Sequence, residues 1–225
     1  MKSYIIMRIC LGLKGAFSIN DIRKGLDDTP SYHEKLNKSM ADLKEKIIKP
    51  FEDQGHTFDI ICSTYDTKFV NVFQNNFPVK QWYKFPTSCI EEGGDWTRQL
   101  LHYMKLMEMI LEMEKKEDKY DLIIFTRFDL LFYKKVTEWD LKLNEFNIAV
   151  KHSSGNCDDN IWIFHRNHFQ AFGNSIQSLL ASRGITHALN HRLVEQGVPV
   201  HYMYEITEED YKNDTTYKLF VLNRN

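Results

Sequence analysis

The segment Tyr120–Lys134, YDLIIFTRFDLLFYK, decides the fold. Leu122, Ile123, Ile124, Phe125 and Thr126 form an uncharged run that follows a long helical pattern. Such a run reads as a central strand in a sheet covered on both faces. The run breaks at Arg127 and Asp129, then apolar residues resume at Leu130, Leu131 and Phe132. A cation and an anion two residues apart are costly to bury without partners. In open α/β sheets the carboxyl end of a strand is where ligands bind. Two readings are therefore open at this strand exit: an internal Arg–Asp ion pair, or a site for a charged ligand.

Upstream, Tyr4–Leu11 reads as the first strand and feeds a long glycine-containing loop. In that loop Gly12, Lys14 and Gly15 could bring backbone N–H groups and one cation to a phosphate, although the GxxxxGK[ST] spacing is absent. Ser31 with Glu34 reads as a capping box. From there to Gln54, Leu36, Met40, Leu43, Ile47 and Phe51 form one apolar helical stripe, which Gly55 closes. Phe58–Thr64 is a second buried strand ending in the polar cluster Ser63, Thr64, Tyr65 and Asp66. Strand, helix and strand at this spacing make a right-handed βαβ unit with parallel strands.

Gln81–Phe85 is a candidate third strand, and Gly93-Gly94-Asp95 marks a helix start. That helix runs to about Lys116 and carries Arg98 and His102 in its first turns, an arrangement that suits an anion. Beyond the central strand, Phe146–Val150 and Asn160–Phe164 read as strands joined by the loop KHSSGNCDD. Asp158 and Asp159 in that loop are either turn residues or a functional carboxylate pair, and only one of them can face a given side. Two helices, Asn167–Ser182 and Thr186–Gln196, lead to Gly197 and a last strand, VPVHYMY, with His201 in its middle. The polar tail from Glu205 is expected to wrap the surface. The whole chain reads as a single α/β domain, Rossmann-like, with a mostly parallel central sheet and helices on both faces. That domain reads as two halves, residues 1–130 and 131–225.

With 225 residues and a net charge of −2 the chain can bury a large core and lacks the basic excess of a nucleic-acid binder. No window approaches the length of a transmembrane segment, and the N-terminal apolar run is broken by Arg8. Cys10, Cys62, Cys89 and Cys157 make no CxxC pair and read as buried thiols. These features give the expectation of a soluble, cytoplasmic protein.

HExxH, GxGxxG and nucleophile motifs are absent. What remains is acidic residues at strand exits, arginines at a helix start and a strand end, and a late histidine. Carboxylates with a histidine suit a divalent cation, and a cation with arginines suits a diphosphate that leaves.

The order strand–helix–strand, then KYDLIIFTRFDLLF, resembles the GT-A class of nucleotide-diphospho-sugar glycosyltransferases. The resemblance is to a sub-group with an R-x-D variant of the DxD motif, here Arg127-Phe128-Asp129, followed by CDDNIWIF. It implies transfer of a hexosyl or pentosyl group from a nucleoside diphosphate sugar to a hydroxyl of a glycan or glycoprotein. It also implies Mn2+ or Mg2+, with Asp129 as the metal or ribose ligand and His201 as a further metal or diphosphate ligand, and makes residues 1–130 the nucleotide-binding half and 131–225 the acceptor-side half. Arg127 would contact the diphosphate, and Asp158 or Asp159 would bind the acceptor and act as the base. Gly12, Lys14, Thr64 and Arg98 would line the nucleotide. Arginine cannot ligate a metal, so the R-x-D variant leaves metal dependence open. A sugar-phosphate nucleotidyltransferase and a non-catalytic nucleotide- or sugar-binding module are the alternatives.

Overall fold

The computed structural model describes residues 6–15, 29–67, 70, 73–74, 77–90, 95–152, 154–205 and 219–222. Its centre is a seven-stranded sheet in the order β3-β2-β1-β4-β7-β6-β8. The strands are β1 Arg8–Gly15, β2 Thr57–Tyr65, β3 Val79–Phe85, β4 Leu122–Arg127, β6 Phe146–Lys151, β7 Ile161–His165 and β8 Val200–Glu205. Strands β1 to β4 are mutually parallel, as the βαβ reading requires, and β6 pairs with β8 in parallel. Strand β7 runs antiparallel to both β4 and β6. The short β6–β7 connection dictates that reversal, because it is shorter than a parallel crossover needs.

Strand alternation divides the core between two faces. Ile9, Leu11, Leu13, Leu122 and Ile124 pack with Leu36, Met40, Leu43 and Ile47 of helix α1. Cys10, Ile123, Phe125, Trp162 and Phe164 pack on the opposite face. There they meet helices α2 (Asp95–Glu114), α3 (Phe169–Ala181) and α4 (Leu189–Glu195). Among the described residues no helix is long and apolar enough to cross a membrane. Cys10, Cys62 and Cys157 are buried free thiols.

Helix α1 opens over Pro30–Leu43 and passes through a π turn at Lys44–Ile48 to Lys49–Glu52. Pro50 has no N–H to give the ladder, and a wider turn just before it accommodates its ring. The N-cap is Thr29 rather than the expected Ser31; its hydroxyl accepts from Tyr32 N at 3.3 Å. Pro30 at the first helical position forces Thr29 into extended geometry, and that selects the cap. Gly55 and Gly197 do close their helices, with φ of +89° and +74°.

Two further expectations are corrected. Strand β1 continues to Gly15 instead of ending at Leu11, so Gly12 and Lys14 belong to the strand. The C-terminal tail also carries a strand, β9 (Phe220–Leu222), paired with β5 (Leu130–Phe132) immediately after Asp129. On the other edge of β5, Asp42 accepts from Phe132 N and Lys46 donates to Phe132 O, so two helix side chains stand in for a neighbouring strand. The rest of the tail, 206–218 and 223–225, and the Gly93–Gly94 pair lie outside the described residues.

Candidate functional site

Chain order puts β2 and β3 on one side of β1 and β4 on the other. The order of strands therefore reverses between β1 and β4, and a crevice forms beyond their carboxyl ends at such a switch point. The residues at those ends are Lys14 and Arg127, register partners on adjacent strands. Both lie on the α2 face, and the β6–β7 loop brings Asp158 and Asp159 to them.

Arg127 is committed to Asp129. Its Nε donates to Oδ1 and its Nη2 to Oδ2, both at 2.8 Å, the two-point pairing expected of guanidinium and carboxylate. Asp129 is completely buried. Burial works against the Arg127 charge, but the Asp129 carboxylate outweighs it and raises the guanidinium above its ordinary range. The ion-pair reading of the RFD segment is thus the observed one.

Lys14 is 2 % exposed. Its Nζ lies 3.4 Å from Gln99 Oε1, 3.8 Å from Asp159 Oδ2 and 4.5 Å from the centre of the Tyr103 ring. Burial pulls the ammonium down to about 8, against the opposing pull of Asp159. Tyr103 lies flat against Trp162, 4.4 Å between ring centres, and donates to Asp159 O at 3.0 Å. It thereby joins α2 to the loop.

The two loop aspartates differ, as the alternation of an extended segment requires. Asp158 accepts from Asn160 N at 2.8 Å and from Asn160 Nδ2 at 2.6 Å. Burial and then the neighbouring Asp159 charge push it up to about 6. Asp159 accepts from Thr186 Oγ1 at 2.9 Å. Burial would raise it, but Lys14, His187 and Arg127 outweigh that and hold it below the ordinary carboxylate range. The loop owes its position to backbone bonds from Cys157 N to His187 O and from Asp158 N to Val150 O.

Other expected site residues are placed differently. Gly12 does not cradle a ligand: a Cβ there would lie 2.5 Å from the Phe125 ring, so the glycine admits a core aromatic. Thr64 Oγ1 donates to Gly15 O at 2.8 Å and ties the ends of β1 and β2 together. Arg98 is buried in the first turn of α2. Burial, the Lys14 charge and, more weakly, the Arg98 charge hold His102 down to about 3, so its imidazole is neutral. His102 Nδ1 lies 2.9 Å from Ser63 Oγ, with the rings of Tyr65 and Phe85 against it. His201 is remote. It pairs with Asn147 near the amino ends of β6 and β8, the opposite end of the sheet, and its Nε2 lies 2.8 Å from Asp140 O.

Sequence pattern alone does not mark Gln99, Tyr103, Asn160 or Thr186 as site residues. Gln99 and Tyr103 are four apart on one helix, and that spacing, which places two side chains on the same face, is the one signal the sequence offers for them.

The carboxylates present do not fit the divalent ion that the resemblance implies. Such an ion needs several oxygen or nitrogen ligands converging on one point. Asp129 gives both oxygens to Arg127, Asp158 gives both to Asn160, and His201 is at the wrong end of the sheet. Among the described residues no three His, Cys, Asp or Glu side chains are grouped to hold a metal ion.

No protein-family model matches the chain, and no curated protein matches it in sequence. The functional reading rests on the site.

Proposed function

We propose that this protein transfers a sugar from a nucleoside diphosphate sugar to an acceptor hydroxyl. One observation carries the reading: two cations and three carboxylates are gathered at the switch-point crevice, where an α/β sheet binds ligands. Arg127 uses two of its five N–H donors on Asp129, and among the described residues the other three stay available to a diphosphate. Asp129, buried behind it, is a positioning residue rather than a direct ligand. Breaking the sugar–phosphate bond puts charge on the leaving diphosphate, and fixed donors at that point lower the barrier.

Asp158 is the better base of the two loop aspartates. A carboxylate with a raised pKa accepts a proton more readily near neutrality, while Asp159 is held anionic by its cationic neighbours. In an inverting transfer the acceptor oxygen bonds to the anomeric carbon as the bond to the diphosphate breaks. The hydroxyl proton passes to Asp158, and the electron pair leaves with the diphosphate. The closed Arg127–Asp129 pair also favours a second reading, a nucleotide-sugar binding module without turnover. Incubation with a panel of nucleotide sugars, measuring released nucleoside diphosphate with and without simple glycoside acceptors, separates the two. Release that grows with acceptor supports transfer. Tight binding without release supports the module, and neither binding nor release with any sugar nucleotide defeats both.

A further inference from the structure

Lys14 is a buried ammonium whose hydrogen-bonding needs the described residues do not meet. An ammonium carries three donors. Among the described residues Lys14 finds one acceptor within hydrogen-bond reach, Gln99 Oε1 at 3.4 Å, a long bond. Gln99 Oε1 is shared with Thr186 Oγ1 at 3.3 Å. The Asp159 carboxylate stands at 3.8 Å and turns its Oδ2 to Thr186 instead. The Tyr103 face compensates the charge but accepts no conventional hydrogen bond. Desolvating an ion and leaving its donors unused is costly, and such arrangements are kept where the missing partner is a ligand.

The same crevice is ill suited to a divalent ion, since both oxygens of Asp129 are engaged by Arg127, both of Asp158 by Asn160, and Oδ2 of Asp159 by Thr186, and among the described residues no three ligating side chains converge. A diphosphate still has to be neutralised there. Lys14 lies beside Arg127 across the β1–β4 pair, about 4.8 Å from strand to strand, a spacing that lets two cations face adjacent phosphates.

Building on the proposed donor class, we infer that this site binds the nucleoside diphosphate without a divalent cation, with the Lys14 ammonium as the direct phosphate contact that takes the metal's place. Lysine suits the task as a compact charge with three rotatable donors.

The test is calorimetric binding of UDP, GDP, CDP and ADP to the full chain, first in excess EDTA and then in manganese. At least one of them is expected to bind in EDTA, with affinity changed no more than about two-fold by manganese. In Lys14→Met that affinity is expected to fall roughly ten- to a hundred-fold, the loss of one charge-assisted hydrogen bond to phosphate. Should Lys14→Met fold poorly because Asp159 loses its neighbour, Lys14→Met/Asp159→Asn removes both charges and must show the same loss. Binding that requires manganese, or binding in EDTA that survives both variants, overturns the inference while leaving a diphosphate site in place. Absence of binding by all four nucleotides in either buffer overturns the donor class itself, and the inference with it.

Discussion

The two ends of the central sheet each gather buried charge, and they treat it in opposite ways. At the amino end, Arg8 of β1 pairs with Asp59 of β2 at 2.5 Å, reaches Glu117 and the Asp118 carbonyl, and lies 4.2 Å from the Tyr120 ring centre. Asp59 also accepts from Tyr120 Oη at 2.8 Å and from Lys80 at 2.6 Å. Burial would raise Asp59, yet the hydrogen bonds from Lys80, Arg8 and Tyr120 hold it below its ordinary range. At the carboxyl end of the same strands, Lys14 has a single long hydrogen bond among the described residues, and Asp158 is pushed up to about 6. A network built for the fold satisfies its charges, whereas one built for a ligand leaves some unmet. The amino-end cluster is a clasp across β1, β2, β3 and the α2–β4 turn, and the carboxyl-end cluster is a site.

The Arg127–Asp129 pair is where the contrast bends, since it is a closed pair inside the open cluster. Asp129→Ala leaves a buried guanidinium without its carboxylate and is expected to lower stability by about 3–5 kcal/mol. Chemical denaturation measures this directly. An unchanged midpoint would place Arg127 in solvent and dissolve the pair.

Asp158→Asn sharpens the open side. Transfer is expected to fall roughly 10²- to 10⁴-fold, the usual contribution of a general base. Wild-type rate should rise with pH to a plateau through a midpoint near 6, because the carboxylate must be deprotonated to act. Stability runs the other way for this group. Its folded pKa is raised above the unfolded value of 3.8, so its stabilising contribution is complete below that value and is lost as pH rises through about 6. A rate profile flat from pH 5 to 8 in steady-state assays removes Asp158 from the chemistry.

Thr64→Val tests the smallest claim, that this residue ties strand ends together and serves no ligand. It should cost about 1 kcal/mol in denaturation and leave nucleotide affinity unchanged. A loss of affinity with stability intact would return Thr64 to the binding surface.

Much of the fold was legible because periodicity reports burial. The β4 run, the α1 stripe and the first βαβ unit follow from apolar spacing alone, and with them the strand exit at Arg127, whereas the switch point needs the strand order. The end of β1 was not legible, since glycine marks loops and close approaches alike. Only the Phe125 ring against Gly12 decides between them. Strand β9 was hidden by its shortness and polar surroundings, and Pro30 displaced the expected cap by two residues. Within the site, the residue types at strand exits were readable, but partner choice was not. Whether Asp129 holds a metal or an arginine depends on a side-chain direction that spacing does not encode. His201 misled because a histidine in a strand gives no hint of which end of the sheet it occupies.

The central claim is that the two charged ends of the sheet serve different purposes, and paired melting curves of Arg8→Met and Lys14→Met/Asp159→Asn test it most directly. Arg8→Met removes the cation that Asp59, Glu117 and the Asp118 carbonyl share and should cost about 2 kcal/mol, a fall on the order of 5 °C. Lys14→Met removes an ammonium that burial already disfavours, and made together with Asp159→Asn it leaves no carboxylate without its cation. The folded pKa of Lys14, about 8, lies below its ordinary 10.5, so at pH 7 the charge costs stability, and the double variant should melt at or near the wild-type temperature. A Lys14→Met/Asp159→Asn protein that melts as far below wild type as Arg8→Met would contradict the account and make both ends structural.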